Sequence, residues 1–447
     1  MPKKKTALTI EERLQQALVP AEEQPYEVPK NWVWVRLGAV CYASKEKSND
    51  FSNEIKYIGL EHLEKDKGIV GFSSADKVKS TKNAFQEGQI LYGRLRPYLN
   101  KHDIASFSGV CSTDILVFEA SVLVANILVD KFFNLPFFIE YVVANSKGIN
   151  LPRVSEETVL NTTFPLPPLL EQQRIVERIE ELFAKLDEAK ERLQEVANSF
   201  AVRKAAILHK AFTGELTQQW RRENGVSDES WEEKKLEEVC SKITDGTHNS
   251  PTNSLSGEYM YVTAKNIKDT GIDLSNITYV TKEVHKEIYS RCDVIYGDVL
   301  YIKDGATAGI ATINTLKEEF SMLSSVALIR TDLKLAKNEF VKDYLNYRKK
   351  EILKNISGSA ITRLTLSKIK DILIPLPTLP EQHEIVRLIN DLLARERKAQ
   401  QATEQALASI DLMKKSILAR AFRGELGTNK ASEASALELL RQVLAEG

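Results

Sequence analysis

One stretch of this sequence is written twice, at the same length both times. Residues 165–216 open PLPPLLEQQRIVERIEEL and close AILHKAFTGELT; residues 375–426 open PLPTLPEQHEIVRLINDL and close SILARAFRGEL. Glu171 aligns with Glu381 and Gly214 with Gly424, both at an offset of 210, and neither copy gains or loses a residue between these anchors. Loops tolerate insertions, whereas a helix of defined reach does not. The constant spacing therefore predicts one long helix per copy.

In the first copy Ile175, Ile179, Leu182, Leu186, Ala189, Leu193, Val196 and Phe200 alternate steps of four and three, which is a heptad seam. Prolines precede the seam and Gly214 follows it, where helices start and stop. The second seam (Ile385, Ile389, Leu392, Ala399, Ala406, Ile410, Met413, Ile417) is interrupted by Glu396 and Thr403, while Thr378 and Glu381 fit a capping box. Forty-odd residues make a rod of roughly 60 Å. A rod with an apolar seam needs a partner, and the nearest is the other copy.

The intervening segments repeat too, at lower likeness. Trp231, Leu236, Val239 and Cys240 match Trp32, Leu37, Val40 and Cys41; residues 297–301 (GDVLY) match 88–92 (GQILY). Gly358 and Arg363 match Gly148 and Arg153 at the helices' own offset. The period is far too long for a solenoid. In the first segment strand-like runs lie at 32–37, 54–58, 88–92 and 114–118, with a helical stretch at 131–146. Short amphipathic helices at 8–20 and 431–447 share a leucine pattern (Leu14, Leu18; Leu440, Leu444), which suggests that the two termini meet and close a pseudo-twofold ring. The expected fold class is α+β: two globular mixed α/β domains separated by two long antiparallel coiled-coil helices, an internal repeat of pseudo-twofold symmetry. The expected segments are 1–30 (helix and linker), 31–164, 165–216, 217–230 (connector), 231–374, 375–426 and 427–447 (tail helix).

A net charge of −1 and 43% apolar residues describe a globular chain with no global pull toward nucleic acid, so any such function needs local patches. No apolar run reaches the length of a membrane span, and the start MPKKKTALTIEERL lacks the apolar core of a secretion signal. Four widely spaced cysteines point to buried thiols in a reducing cytosol, so a cytoplasmic location is expected.

Catalytic motifs are missing. There is no phosphate-cradling Gly-x-x-x-x-Gly-Lys loop; residues 304–309 lack both the lysine and the spacing. No His-Glu-x-x-His pair is present, and the six histidines are scattered, so neither a catalytic site nor a metal site is expected. What remains is binding. Lys77, Lys79, Lys82, Arg94, Arg96 and Lys101 cluster, with Tyr92 and Tyr98 interleaved among the arginines. The Arg-Leu-Arg-Pro turn projects two guanidinium groups suited to phosphates or guanine edges, although a solvated basic face accounts for the lysines as well. In the second segment three polar loops follow strand candidates: Thr244, Asp245, Thr247 and His248 in the first; Lys265 and Asn266 in the second; Lys303 in the third. Loops on a scaffold are where recognition residues sit, and plain Asp-Gly turn chemistry is the competing reading. On residues alone a coiled-coil scaffold without a DNA role stays open, as does a nuclease or methyltransferase with diverged motifs.

The two PLP-x-x-x-EQ entries, the two AF-x-GEL exits, the Trp-x4-Leu starts and the Thr-Asp-Gly-Thr-His loop resemble the specificity subunit of a type I restriction–modification system over essentially the whole chain. That resemblance implies two target recognition domains, each reading one half of a bipartite, asymmetric site in double-stranded DNA. It implies antiparallel helices that set the gap between half-sites. It also implies two methyltransferase subunits docked on the chain, restriction/translocase subunits for cleavage, and no membrane. The chain itself is expected to be non-catalytic and to bind no cofactor, with S-adenosylmethionine, ATP and Mg2+ held by its partners. Expected DNA contacts are Tyr92, Arg94, Arg96, Lys101 and Arg153 in the first domain. In the second they are Thr244, Asp245, Thr247, His248, Lys265, Asn266, Lys303 and Arg363.

Overall fold

The computed structural model describes residues 9–49, 51–354 and 363–446. Gly358, the charged stretch before Thr9 and the side chain of Lys77 lie outside the described residues. The chain forms two compact units: Met1–Leu193 with Gln405–Gly447 (unit 1), and Gln194–Glu404 (unit 2).

Unit 1 is organised on an antiparallel sheet ordered His102–Ile104, Ile90–Gly93, Ile115–Ala120, Cys41–Ala43. Successive side chains on a strand point to opposite faces. Ile90, Tyr92, Leu116 and Phe118 enter a core shared with helices, while Leu91, Ile115 and Val117 enter a second core under another sheet. Both faces are covered, which is why these runs are continuously apolar. The second sheet is ordered Lys47–Ser48, Lys82–Phe85, Gly109–Cys111, Lys56–Ile58, Ser73–Ser74, with the Gly109–Cys111 and Lys56–Ile58 strands parallel. The helical stretch expected at 131–146 is two helices, Asn126–Phe132 and Pro136–Ala144, because Pro136 can open a helix but not continue one.

Unit 2 repeats the plan. Its main sheet runs Cys240–Asp245, Val326–Thr331, Val299–Ile302, Ala311–Ile313, the same order read from the other edge. Its second sheet has three strands and again one parallel pair, Tyr259–Val262 with Phe320–Met322. Gly88 and Gly297 open equivalent strands with left-handed φ of 89° and 92°, a conformation that costs glycine little. The units diverge before that turn: unit 2 has a helix, Lys282–Arg291, where unit 1 has the single turn Ala75–Lys77.

The long helices are Leu169–Phe212 and Leu379–Ala421, and each supplies one end to each unit. In unit 1 Lys190 meets Asp411 at 2.9 Å and Asp187 meets Lys414 at 2.5 Å, so the two segments run antiparallel. In unit 2 Arg203 pairs with Glu396 at 2.9 Å. The buried stripe departs from the expected seams. Ala189, Val196, Ala399 and Met413 are exposed, while Lys190, Ala197 and Lys414 are half-buried. A nearly straight helix drifts by about 20° per heptad against a strict 3.5-residue repeat, so the buried positions slide. Glu396 and Thr403, expected as interruptions, sit within the stripe, Glu396 on Arg203 and Thr403 bonded back to the Ala399 carbonyl.

The helix ends explain the repeated motifs. Ile175, Ile179, Ala421 and Phe422 complete the core of unit 1; Ile385, Ile389, Ala211 and Phe212 complete that of unit 2. Gln172 reaches out from its helix to accept from the Ala125 amide and donate to the Leu123 and Pro167 carbonyls. Gln382 does the same with Lys337, Leu335 and Pro377. Glu171, wholly buried, accepts from Trp32 Nε1 (2.7 Å), Asn429 Nδ2 (2.8 Å) and Thr428 Oγ1 (3.2 Å). Glu381 does not close the capping box expected with Thr378. Its Oε1 accepts from Arg221 (2.6 Å) and Thr217 (2.7 Å), and its Oε2 has no partner. The buried Arg221 draws the carboxylate away, since a buried charge is costly unless paired. The short terminal helices Ile10–Ala17 and Ala436–Glu446 pack together within unit 1, where Arg13 Nη1 donates to the Leu444 carbonyl.

Candidate nucleic-acid interface

In unit 1 the strand Ile90–Gly93 runs out into the Arg-Leu-Arg-Pro turn, and a second loop closes against it. Val154 N donates to the Arg94 carbonyl (3.0 Å) and Arg96 N to the Pro152 carbonyl (2.7 Å). Lys147 and Arg153 exchange both backbone hydrogen bonds, which makes residues 147–153 a small hairpin with Ile149 wholly exposed at its tip. Arg94 N bonds to the Asp114 carbonyl (2.9 Å), and the Asp114 carboxylate takes Arg153. Arg94, Arg96 and Arg153 are thus brought together, with Arg96 exposed in a left-handed conformation at φ 53°. Lys101 lies next to them through Gly93, but its amine is bonded to the Leu60 carbonyl at 2.9 Å.

Unit 2 gathers its three expected loops in the same place. Thr247 N donates to Met322 O and Ser324 N to Thr247 O, so the Thr-Asp-Gly-Thr-His loop is laced to residues 322–324. Gly246 is required there, because a Cβ would stand 1.9 Å from the Met322 carbonyl oxygen. Lys303 N bonds to Ser325 O, Leu364 N bonds to Lys303 O, and Ala264 N reaches Ser325 Oγ at 3.4 Å. Asp304 bridges to Arg363 as Leu95 does to Arg153, so Arg363 occupies the position of Arg153.

Residues 29–198 and 228–406 match the sequence profile of the type I restriction modification DNA specificity domain. This chain belongs to that family. It is similar to the specificity subunit of the type I restriction enzyme EcoBI from Escherichia coli, 28% identical over 336 residues that make up 70% of each chain. Its fold is like that of a chain from a type I restriction–modification system described for complex assembly and conformational transition: TM-score 0.71 at 23% identity, covering 90% of this chain and 100% of the other. It is also like that of the HsdS subunit from Thermoanaerobacter tengcongensis, with TM-score 0.65 and 23% identity over 90% and 99% of the two chains.

The expected contacts of the specificity domains fall into two groups. Arg94, Arg96, Lys101, Arg153, Thr244, Thr247, His248, Lys265 and Arg363 are exposed or half-exposed. Tyr92, Asp245, Asn266 and Lys303 are not, and they are corrected from contacts to scaffolding. The Tyr92 ring lies in the core against Phe133 and Phe138, because odd and even positions of a strand covered on both faces are equally shut in. Asn266 is spent on the Thr263 amide and the Asp273 carbonyl. Asp245 and Lys303 pair with each other at 3.4 Å, and Lys303 also meets Asp304 at 3.2 Å. Around Asp245, His248 Nε2 stands at 3.4 Å and Arg291 donates to its Oδ1. One buried carboxylate thus orients two exposed cationic or titratable groups. Sequence reasoning missed Arg291, at the end of a helix with no motif, and Asp114, whose partner is distant in sequence.

Burial pushes the thiols of Cys41, Cys111, Cys240 and Cys292 up to about 12, so they are neutral at physiological pH and poor nucleophiles. Among the described residues no group of three or more His, Cys, Asp or Glu side chains is placed to hold a metal, and no helix is long and apolar enough to cross a membrane.

Proposed function

We propose that this chain is the DNA-reading subunit of a type I restriction–modification complex, each unit reading one half of a bipartite, asymmetric site. The observation that carries this is the pairing of likeness and difference between the repeats. The same topological edge in both units is lined by exposed cationic side chains, built from an Arg-Leu-Arg turn in one and from Asp245-anchored loops in the other. Membership of the specificity family favours this over a bare scaffold or a diverged methyltransferase. Phosphate contacts fix register while side chains at base edges specify sequence. Two differently furnished edges therefore read two different half-sites.

On this reading the paired helices set the gap between half-sites and dock two methyltransferase subunits, and restriction/translocase subunits join for cleavage. S-adenosylmethionine, ATP and Mg2+ belong to those partners. The partners also supply part of the phosphate grip, which a chain of net charge −1 does not provide alone. The test is methylation mapping of a genome in cells that express the chain with its methyltransferase subunit. A two-part, non-palindromic motif is expected; a palindromic or unbroken motif would overturn the proposal.

A further inference from the structure

Arg153 is held in one orientation from both sides. Its Nε donates to Asp114 Oδ1 at 2.8 Å and its Nη2 to Oδ2 at 3.1 Å, a side-on clasp of two charge-assisted hydrogen bonds. Its backbone is pinned by the two bonds to Lys147 and by the bridge to Leu95. Asp114 is fixed in turn: its carbonyl accepts from the Arg94 amide and its own amide donates to Ser112 Oγ at 3.2 Å. The hydrogen bond from Arg153 also holds the Asp114 carboxyl below the usual carboxylate range, so the clasp is charged at neutral pH.

A guanidinium has five N–H donors in one plane. The clasp uses Nε–H and one Nη2–H and leaves both Nη1 hydrogens and the second Nη2 hydrogen on the opposite edge. The side chain is 41% exposed, and among the described residues Nη1 has no hydrogen-bond partner. That edge presents two parallel donors, the fork that matches guanine O6 and N7 in the major groove. A phosphate also accepts from such a fork, but a carboxylate about 3 Å from the guanidinium repels a full anionic charge more than the partial charges on guanine O6 and N7.

We infer that Arg153 reads a guanine through O6 and N7 in the half-site of unit 1, and that Asp114 is the positioning residue that aims it. The inference rests on the DNA-reading function proposed above and adds which base is read and by what. Arg363, at the equivalent position of unit 2, has only a 3.7 Å approach to Asp304 and is 63% exposed, so the clasp belongs to unit 1 alone.

The experiment uses the chain in complex with its methyltransferase subunits, on duplexes carrying the mapped motif. In the unit 1 half-site, 7-deazaguanine, which lacks N7, should weaken wild-type binding at one guanine, while inosine, which keeps O6 and N7, should not. Arg153→Ala should lose roughly 5- to 150-fold of discrimination at that position and become indifferent to 7-deazaguanine, with the unit 2 half-site unchanged. Asp114→Asn, which keeps the shape but not the charge, should relax the same position to a smaller degree. A unit 1 half-site without a G·C pair would overturn the inference, as would an Arg153→Ala motif identical to wild type. Equal weakening on all sequences would make Arg153 a phosphate contact and overturn it too. Those results leave the DNA-reading function standing, whereas a wild-type complex that methylates without any motif strikes that function itself.

Discussion

The two units share a joint and differ in what the joint supports. In unit 1 the buried Glu171 is satisfied by neutral donors: an indole, an amide and a hydroxyl. In unit 2 the equivalent Glu381 is satisfied by a buried arginine and a hydroxyl. Trp231, the counterpart of Trp32, leaves its indole N–H without a partner. The same motif therefore holds two helix ends together by two electrostatic solutions. Identity of sequence at the joint conceals a difference supplied by residues outside it, Arg221 above all.

The largest effect should expose this difference. Glu381→Ala leaves the buried Arg221 guanidinium with Asp228 alone, at 2.9 Å and on the exposed side, and should cost unit 2 up to about 3–5 kcal/mol, since breaking one side of a buried ion pair leaves its charge poorly compensated. Glu171→Ala strands only neutral donors, which water or a neighbouring carbonyl satisfies more cheaply than a charge, and should cost less, about 1–3 kcal/mol in all. Hydrogen exchange resolved by unit is the measurement. Equal losses in the two units would show that the Arg221 pair is not the stronger tie.

A smaller contrast lies in the tryptophans. Trp32→Phe removes a hydrogen bond to a carboxylate, while Trp231→Phe removes a donor that has no acceptor. The first should destabilise by about 1.5–3 kcal/mol more than the second, the usual range for hydrogen bonds to charged groups. Denaturant midpoints of the two variants decide it, and parity would mean that the Trp231 indole finds a partner such as water.

Differences between the reading edges should appear one half-site at a time. Arg96→Ala should degrade only the half-site of unit 1, and Lys265→Ala only that of unit 2. Each should lose roughly 5- to 150-fold in specific binding if the side chain touches a base. Gly246→Ala forces a Cβ against the Met322 carbonyl and should spoil the unit 2 half-site while unit 1 still reads its own. Methylation mapping of all three variants is the check. A variant that blurs both half-sites equally would break the comparison.

The repeat, the long helices and the mixed α/β plan were legible because each is written in local pattern: periodicity, entry prolines, exit glycines. The seam positions were only partly legible, since Ala189 and Val196 obey a heptad that the helix itself does not keep. The candidate contacts divide by the same rule. Arg94 and Arg96 sit in a turn that the sequence announces. Tyr92 carries the right chemistry but lies where a sheet covered on both faces buries it, and Lys303, just past a strand end, is buried in its pairing with Asp245 and Asp304. Asp114 and Arg153 join across 39 residues, as do Asp245 and Arg291 across 46, and no local pattern encodes such meetings.

The smallest effect separates the two matched arginines by acid. Unit 1 holds Asp114 below its ordinary carboxylate range through Arg153. A group whose folded value is depressed adds stability above its unfolded value, near 3.9, and loses it as pH falls through the lower folded value. Wild type should therefore exceed Asp114→Asn in denaturant midpoint by the same small margin at pH 7 and pH 5. That margin should shrink only below about pH 4, in the ordinary aspartate range. The clasp is partly exposed, so the margin should also narrow in high salt, where screening lengths fall to about 3 Å at 1 M. A margin that stays the same between pH 5 and pH 3 would show that Asp114 titrates like a free carboxylate. Arg153 would then turn freely, and the two units would differ at this position in name only.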